Sequence, residues 1–133
     1  MNVLPPSEPL ERLDLSAQLT QVPDWVRDHA PTLQVLNLSG NALSTLPDWL
    51  PELTALRVLF CSDNAFTELP EVVGACLSLS MVGFKSNRIR HVPAASLPAP
   101  LRWLILTGNE IAELPDTLGA RPALEKQIGR AHC

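Results

Sequence analysis

The sequence has little positive charge. Ten lysines and arginines are outnumbered by fourteen aspartates and glutamates, which gives a net charge of -4 and a pI near 5.2. The basic residues are also scattered along the chain rather than gathered into a cluster. Because binding to a phosphate backbone requires clustered lysine and arginine side chains, we expect no nucleic-acid partner.

Cysteine is scarce as well. The three cysteines, Cys61, Cys76 and Cys133, are odd in number and have no C-x-x-C spacing. Free thiols in a reducing compartment fit this pattern better than a disulfide-stabilised secreted domain, so we expect a cytoplasmic protein. The first residues run straight into Pro5 and Pro6, and we therefore expect no signal peptide and no membrane span.

Motifs that mark enzymes are missing. The sequence has no glycine-rich phosphate loop of the G-x-G-x-x-G or G-K-S/T type and no kinase catalytic-loop motif. His29, His91 and His132 are not spaced to form a metal site or a nucleophile-base pair with the cysteines. Carboxylates such as Asp24 and Asp48 follow a proline in successive segments, which is typical of solvated turns. We therefore expect a chain without catalytic activity, cofactor or metal.

The sequence does contain one motif that occurs five times. The pattern L-x-x-L-x-L-x-x-N-x-L-x-x-L-P begins at Leu10, Leu33, Leu56, Leu79 and Leu101, at intervals of 23, 23, 22 and 23 residues. Each copy has five core positions, and every one of them holds an apolar residue. The last core position is Val22, Leu46, Leu69, Val92 and Leu114 in the successive copies. This period predicts a leucine-rich-repeat array, in which each coil covers the apolar edge of its neighbour.

The expected fold is an α/β leucine-rich-repeat solenoid of a single domain. The alternating L-x-L segment of each copy predicts a short strand, stacked in parallel on the next coil to form the concave side. The proline that closes each copy fixes φ and removes a donor, which favours 3-10 or extended turns on the convex side. The predicted boundaries are a lead-in at 1–9, an array at 10–123 and a tail at 124–133. The array divides into repeats 10–32, 33–55, 56–78, 79–100 and 101–123.

The tail is predicted to be a broken sixth repeat. A sixth copy begins at Leu124, but its next inward positions hold Gln127 and Gly129 where apolar residues are required. The residues from Gln127 to His132 also resemble the translation of a sequencing-library adapter. We therefore expect the natural protein to continue beyond Lys126, so that the chain is an N-terminal fragment. A disordered natural tail is the alternative.

An asparagine follows the predicted strand in four copies. These residues are Asn41, Asn64, Asn87 and Asn109. At this bend the backbone groups have no ladder partner, and an amide side chain can both donate and accept hydrogen bonds. We therefore predict a structural asparagine ladder that links one coil to the next.

The strand residues between the core positions face away from the core. They are Arg12, Val35, Val58, Met81 and Trp103 in one column and Asp14, Asn37, Phe60, Gly83 and Ile105 in the next, with Asp63 and Lys85 beside them. An apolar stripe inside a polar rim is typical of a protein-binding surface, so we predict a protein or peptide ligand here. Trp103 is the expected anchor. The alternative is that β-branched and aromatic residues merely suit strands.

Cys61 begins a C-x-D sequence that ends at Asp63. This sequence resembles the catalytic cysteine motif of bacterial leucine-rich-repeat ubiquitin ligases. Cys61 occupies an inward core position, however, and we expect a buried, inert thiol there. Cys76 falls in a convex core position that matches Leu53, so it too is expected to be structural.

Three stretches resemble consecutive repeats of bacterial leucine-rich-repeat protein kinases. They are Leu56 to Asn64, Met81 to Ile89 and Leu101 to Asn109, with the off-consensus phrases F-C-S, G-F-K and R-W-L-I-L. In that family a repeat array precedes a Ser/Thr kinase-like domain, and the similarity covers about residues 10 to 126. The resemblance implies that the array continues past Leu124. No catalytic residue of the kinase can be carried over, because the chain does not contain that domain.

The sequence therefore predicts a noncatalytic protein-recognition module. The resemblance implies that this module is the start of a longer intracellular Ser/Thr kinase. One alternative is the targeting half of a bacterial effector ubiquitin ligase, although those effectors generally have repeats of roughly 20 residues rather than 23. The other alternative is a leucine-rich-repeat scaffold that acts by itself.

Overall fold

The structure, a computed structural model, describes residues 8–116, 118, 121 and 124–127. Its framework is a sheet of six short parallel strands that are paired in chain order. The strands are β1 (Arg12–Asp14), β2 (Val35–Asn37), β3 (Val58–Phe60), β4 (Met81–Gly83), β5 (Trp103–Ile105) and β6 (Glu125–Gln127). Each of the five predicted copies contributes one of the first five strands. The predicted parallel solenoid is confirmed.

The side opposite the sheet is built from 3-10 helices. They span Asp24–His29, Leu50–Glu52, Glu71–Ala75 and Ala94–Ser96. Pro23, Pro70 and Pro93 precede three of these helices in extended conformation, with ψ near 140°. Proline at these positions fixes φ and donates no hydrogen bond, which starts a short tight helix without an unpaired donor. The predicted 3-10 turns are therefore present.

The strands stay in register across the whole sheet. Leu13 pairs with Leu36, and the same column continues through Leu59, Val82 and Leu104. The fourth copy is one residue shorter than its neighbours, but the missing residue falls on the side of the 3-10 helices. The inward column therefore remains continuous, because a one-residue slip in a strand would turn every side chain to the other face.

A continuous apolar core runs between the sheet and the 3-10 helices. Leu36, Leu59 and Val82 are fully buried within it. At its centre, the rings of Phe66 and Phe84 meet edge to face, with centroids 5.0 Å apart and planes at 76°. This arrangement of the two rings adds a favourable electrostatic contact to their burial.

Three predicted core positions are not fully buried. Leu10 and Leu46 are half-buried, and the side chain of Leu114 is 36% exposed. Leu114 lies in the last of the five copies, where a sixth coil would cover it. The structure describes residues 124–127 of that coil, on the strand side. The expectation that Leu114 is a core residue is therefore wrong for the described part of the chain.

The sixth coil differs from the expectation that the repeat pattern stops at Leu124. Leu124 is buried, and the residues after it form β6, which extends the sheet beyond β5. The Glu125 amide donates to the carbonyl of Arg102 at 2.6 Å. Strand pairing requires backbone groups rather than apolar side chains, so a polar sequence can still form this strand.

The register of β6 is also one residue earlier than the expected one. Lys126, rather than Gln127, stands opposite Leu104, and the Lys126 side chain is exposed. The expected lead-in at 1–9 lies mostly outside the described residues, as do Gly129, the rest of the adapter-like segment, His132 and Cys133.

The amide side chains of the four asparagines bridge adjacent coils. Asn87 is buried, and its Oδ1 accepts the backbone N–H groups of Asn64 and Phe66 at 3.2 and 3.1 Å. Its Nδ2 donates to the carbonyls of Cys61 and Phe84, both at 3.0 Å. One side chain thus pairs four backbone groups that the strands leave free. Asn41, Asn64 and Asn109 make equivalent bonds in their coils.

Replacing Asn87 by leucine should destabilise the fold by about 1–3 kcal/mol, because the four backbone groups that it pairs, most of them buried, lose their partner. The measurement is the free energy of unfolding in urea. Arg88→Leu is the matched control, since the exposed Arg88 side chain follows Asn87 and has no hydrogen-bond partner among the described residues, and its effect should stay within about 0.5 kcal/mol. Equal losses in the two variants would show that the asparagines do not support the bend.

Candidate concave binding surface

One face of the sheet is left uncovered by the core. Side chains of a strand alternate between the two faces, so the residues that flank the buried column point outward. Six of these outward residues are apolar, and we call them the apolar patch: Val35, Val58, Phe60, Met81, Trp103 and Ile105. Trp103 is 36% exposed and the other five are half-buried. The register places them side by side across four adjacent strands.

Phe60 owes its position to a glycine. A Cβ atom at Gly83 would lie 2.9 Å from Cδ1 of Phe60, closer than such atoms approach in real structures. The ring of Phe60 therefore lies over Gly83, in the space that the missing side chain leaves. Gly83 was placed in the outward column from the sequence but was not predicted as a site residue. The sequence feature that could have identified it is a glycine at the register position between Phe60 of β3 and Ile105 of β5.

Trp103 forms one wall of a pocket of about 240 Å³. The pocket is lined by Met81, Trp103, Leu104, Ile105, Glu125 and Lys126. The indole Nε1 of Trp103 donates to Oε2 of Glu125 at 3.0 Å, and the Arg102 guanidinium lies 5.3 Å from the ring centroid. The ring is thus held from two sides. Sequence reasoning missed Glu125 and Lys126, because it expected no strand after Leu124.

The first two coils give this face a polar end. Arg12 donates through Nε and Nη2 to the Asp14 carboxylate at 2.9 and 3.0 Å, and Asn37 Nδ2 donates to the same carboxylate at 2.9 Å. Hydrogen bonds from Arg12 and Asn37 lower the pKa of Asp14, and the same carboxylate raises the pKa of Arg12. The charges of Arg12 and Asp14 therefore neutralise each other at this end of the face. Asp63 and Lys85 lie exposed beside the strands, further along the array.

Cys61 is buried in the core, on the inward side of the array. Burial raises the pKa of its thiol far above the usual value, which disfavours the reactive thiolate. Burial also raises the pKa of Cys76 to about 12, and the Cys76 thiol lies 3.5 Å from the carbonyl of Val72. Neither environment suits a nucleophile. Both cysteines are free rather than disulfide-bonded.

The histidines take structural or solvated positions. His29 ends the first 3-10 helix rather than lying on an open turn; it is buried, and its Nδ1 accepts the backbone N–H of Leu10 at 3.2 Å. His91 is exposed, with its Nε2 3.7 Å from Glu68 Oε1. Among the described residues, no group of His, Cys, Asp and Glu side chains could hold a metal ion.

Comparison with known proteins agrees with this architecture. The family model for Leucine Rich repeats (2 copies) matches residues 31–73. A leucine-rich-repeat protein of Leptospira interrogans superposes with a TM-score of 0.73 at 29% identity, over 88% of this chain and 31% of that one. The chain is a leucine-rich-repeat solenoid. Solenoids of this type are noncatalytic protein-interaction modules, and the part of the chain that the structure describes contains no catalytic domain.

The relatives of this solenoid include kinases and receptors. The probable inactive serine/threonine-protein kinase roco10 of Dictyostelium discoideum is 31% identical over 121 residues, which is 86% of this chain and 4% of that protein. The leucine-rich repeat serine/threonine-protein kinase 1 of Mus musculus is 34% identical over 79 residues, covering 56% of this chain and 4% of that protein. The solenoid therefore spans a small part of the relatives that it matches.

A pollen receptor kinase 3 has the same fold. Its structure matches with a TM-score of 0.57 and 20% identity, over 94% of this solenoid and 75% of that chain.

Within residues 8–116, 118, 121 and 124–127, no helix is both long and apolar enough to cross a membrane.

Cys61 and Cys76 of the native solenoid should react with N-ethylmaleimide more than roughly tenfold more slowly than in urea, because a buried thiol reacts only after local opening. Mass spectrometry of digested protein measures the labelling of each cysteine. A Cys133→Ser background removes the third thiol. Rapid native labelling of Cys61 would contradict its inward position.

Proposed function

We propose that this solenoid binds a protein or peptide through the apolar patch on the open face of its sheet. The observation that carries the proposal is the continuity of the patch, which spans four strands opposite the core and ends in the pocket beside Trp103. Solvent-facing apolar side chains do not contribute to the core, and contiguous apolar patches typically mark interaction sites.

Strand propensity by itself does not account for the patch. Val35, Val58 and Ile105 are β-branched and suit any strand, but Met81 is not β-branched. Phe60 lies over Gly83, a residue that weakens strands and is favoured where another group must approach closely. Aromatic rings also suit strands, but a flexible methionine and a glycine under the Phe60 ring fit a contact surface better than a strand preference.

We propose further that the solenoid is the N-terminal recognition region of a longer Ser/Thr protein kinase. Two of its relatives are named as kinases, one of them a probable inactive kinase. Each is far longer than this chain, so a repeat array of this size is compatible with a part of such a protein. The off-consensus repeats between Leu56 and Asn109 support a bacterial kinase of this type, and the similar protein of Leptospira interrogans is bacterial.

The environments of Cys61 and Cys76 support a reducing compartment, and we propose the cytoplasm. Both are free and buried, so neither contributes to a disulfide cap. The effector ubiquitin ligase has less support, because those effectors generally have repeats of roughly 20 residues, whereas the repeats here begin 22 or 23 residues apart. Cys61 itself lies in the core and is not a catalytic C-x-D cysteine.

Phe60→Ala combined with Trp103→Ala should weaken binding of peptides selected on the intact chain by roughly 100-fold or more, since large buried anchors at an interface contribute about 2 kcal/mol or more each. The peptides come from a displayed random library, and titration calorimetry measures their affinity. Circular dichroism establishes that the variant is folded.

Leu77→Ala is the matched control for this prediction. Leu77 has the most exposed large apolar side chain among the described residues, at 74%, and it lies after the 3-10 helix Glu71–Ala75 rather than on the sheet. Its loss should leave affinity unchanged. If the double variant is folded and binds the selected peptides as well as the original chain, the patch is not the binding surface.

The kinase proposal predicts the genomic sequence that follows this repeat array. A glycine-rich loop and an H-R-D-like catalytic motif should follow further repeats in the same reading frame. Sequencing the natural gene from its source checks this. An exposed C-x-D cysteine on a helical domain, or a stop codon after a polar capping coil, would contradict it.

A further inference from the structure

The cations of this chain divide into two groups by their partners. Arg12, Arg27 and Arg90 each form an ion pair with a carboxylate, and the Arg121 guanidinium donates to the carbonyls of Leu97 and Pro98. Five other cations have no carboxylate within ion-pair distance in the part of the chain that the structure describes. They are Arg57, Lys85, Arg88, Arg102 and Lys126.

Three of these five unpaired cations border the apolar patch. Arg57 and Arg102 immediately precede β3 and β5, and both are exposed. Lys85 follows β4 on the opposite border. Lys126 in β6 lines the pocket beside Trp103, but its position opposite Leu104 belongs to the inward column. The patch thus has cations on both of its long sides.

The carboxylates near the apolar patch are fewer than the cations. Asp63 lies exposed on the same border as Lys85, and Glu125 already accepts the indole N–H of Trp103. Three cations therefore face two carboxylates around the patch, in a chain whose net charge is -4. The local excess of positive charge is opposite in sign to the charge of the whole chain.

We infer that the ligand of this face is an acidic peptide segment with an apolar anchor residue. This inference rests on the proposed binding function and specifies its ligand. The anchor side chain enters the pocket between Met81, Trp103 and Ile105. Aspartate or glutamate residues beside the anchor pair with Lys85 and Arg57 across the patch, and the peptide runs over the sheet in extended conformation.

Pocket size and charge together favour this ligand. The pocket of about 240 Å³ is smaller than typical small-molecule sites of about 300–1,000 Å³, so it fits one side chain better than a whole cofactor. Unpaired surface cations are already hydrated and contribute little to folding, but they select partners of complementary charge. A nucleic acid fits less well, because the centre of the surface is apolar rather than a continuous basic track.

The test is a selection from a displayed library of random peptides on the intact 133-residue chain. The enriched peptides should carry Asp or Glu within a few residues of a Leu, Ile, Met or Phe. Arg57→Glu with Lys85→Glu should weaken binding of these peptides roughly tenfold at low salt, and the difference should shrink as ionic strength rises. Neither residue lines the pocket beside Trp103, so the anchor pocket is retained.

Arg88→Glu is the matched control, because Arg88 is an unpaired exposed cation that follows Asn87 outside the strands. Its reversal should change affinity by less than about twofold if the charge effect is local to the patch. A second selection on the Arg57→Glu, Lys85→Glu variant should enrich lysine and arginine in place of the acidic residues.

Three outcomes would overturn the inference while the proposed function stands. They are enriched peptides that are neutral or basic, an unchanged affinity after the double charge reversal, or a single-stranded oligonucleotide that binds as tightly as the peptides. In each case peptide binding would still be lost in the Phe60→Ala, Trp103→Ala variant. Peptide binding that survives that variant, or no enriched peptide at all, would overturn the proposed function as well.

Discussion

The burial of one coil's apolar edge against the next coil is the constraint on which the whole molecule depends. A single repeat cannot enclose its own leucines, so its free energy of folding becomes favourable only when a neighbour covers it. The inward column from Leu13 to Leu104 shows this dependence, because neighbouring strands place its members next to one another in the core. The asparagine ladder meets the matching requirement for the backbone at the bend after each strand. Since both interactions recur at every coil, the array forms one continuous core.

The same strand alternation that fills the core also creates the binding surface. Every inward residue of a strand has outward neighbours, and the parallel register aligns these neighbours into columns. Evolution can alter the outward columns at little cost in stability, because few core contacts involve them. At the polar end, Arg12, Asp14 and Asn37 satisfy one another. From β3 onward the face is apolar with unpaired cations at its border, so the two ends present different chemistry to a partner.

A repeat array of this kind supplies recognition rather than catalysis. Cys61 and Cys76, the cysteines among the described residues, are buried where a thiolate is unfavourable. This chain matches only a small part of each kinase and receptor to which it is similar.

The sequence by itself determined the period, the inward column, the outward columns and the buried position of Cys61. These follow from local spacing, because a 23-residue repeat with alternating strand residues permits one register alone. The sequence did not determine β6, because its residues are polar and the strand forms through backbone pairing. Its register is also one residue earlier than the side-chain pattern suggests. It also could not show that Leu114 is exposed, that Phe60 lies over Gly83, or that Glu125 and Lys126 complete the pocket beside Trp103. Those features depend on which neighbour covers a side chain, and contacts between coils about 22 residues apart are decided by tertiary packing rather than by local pattern.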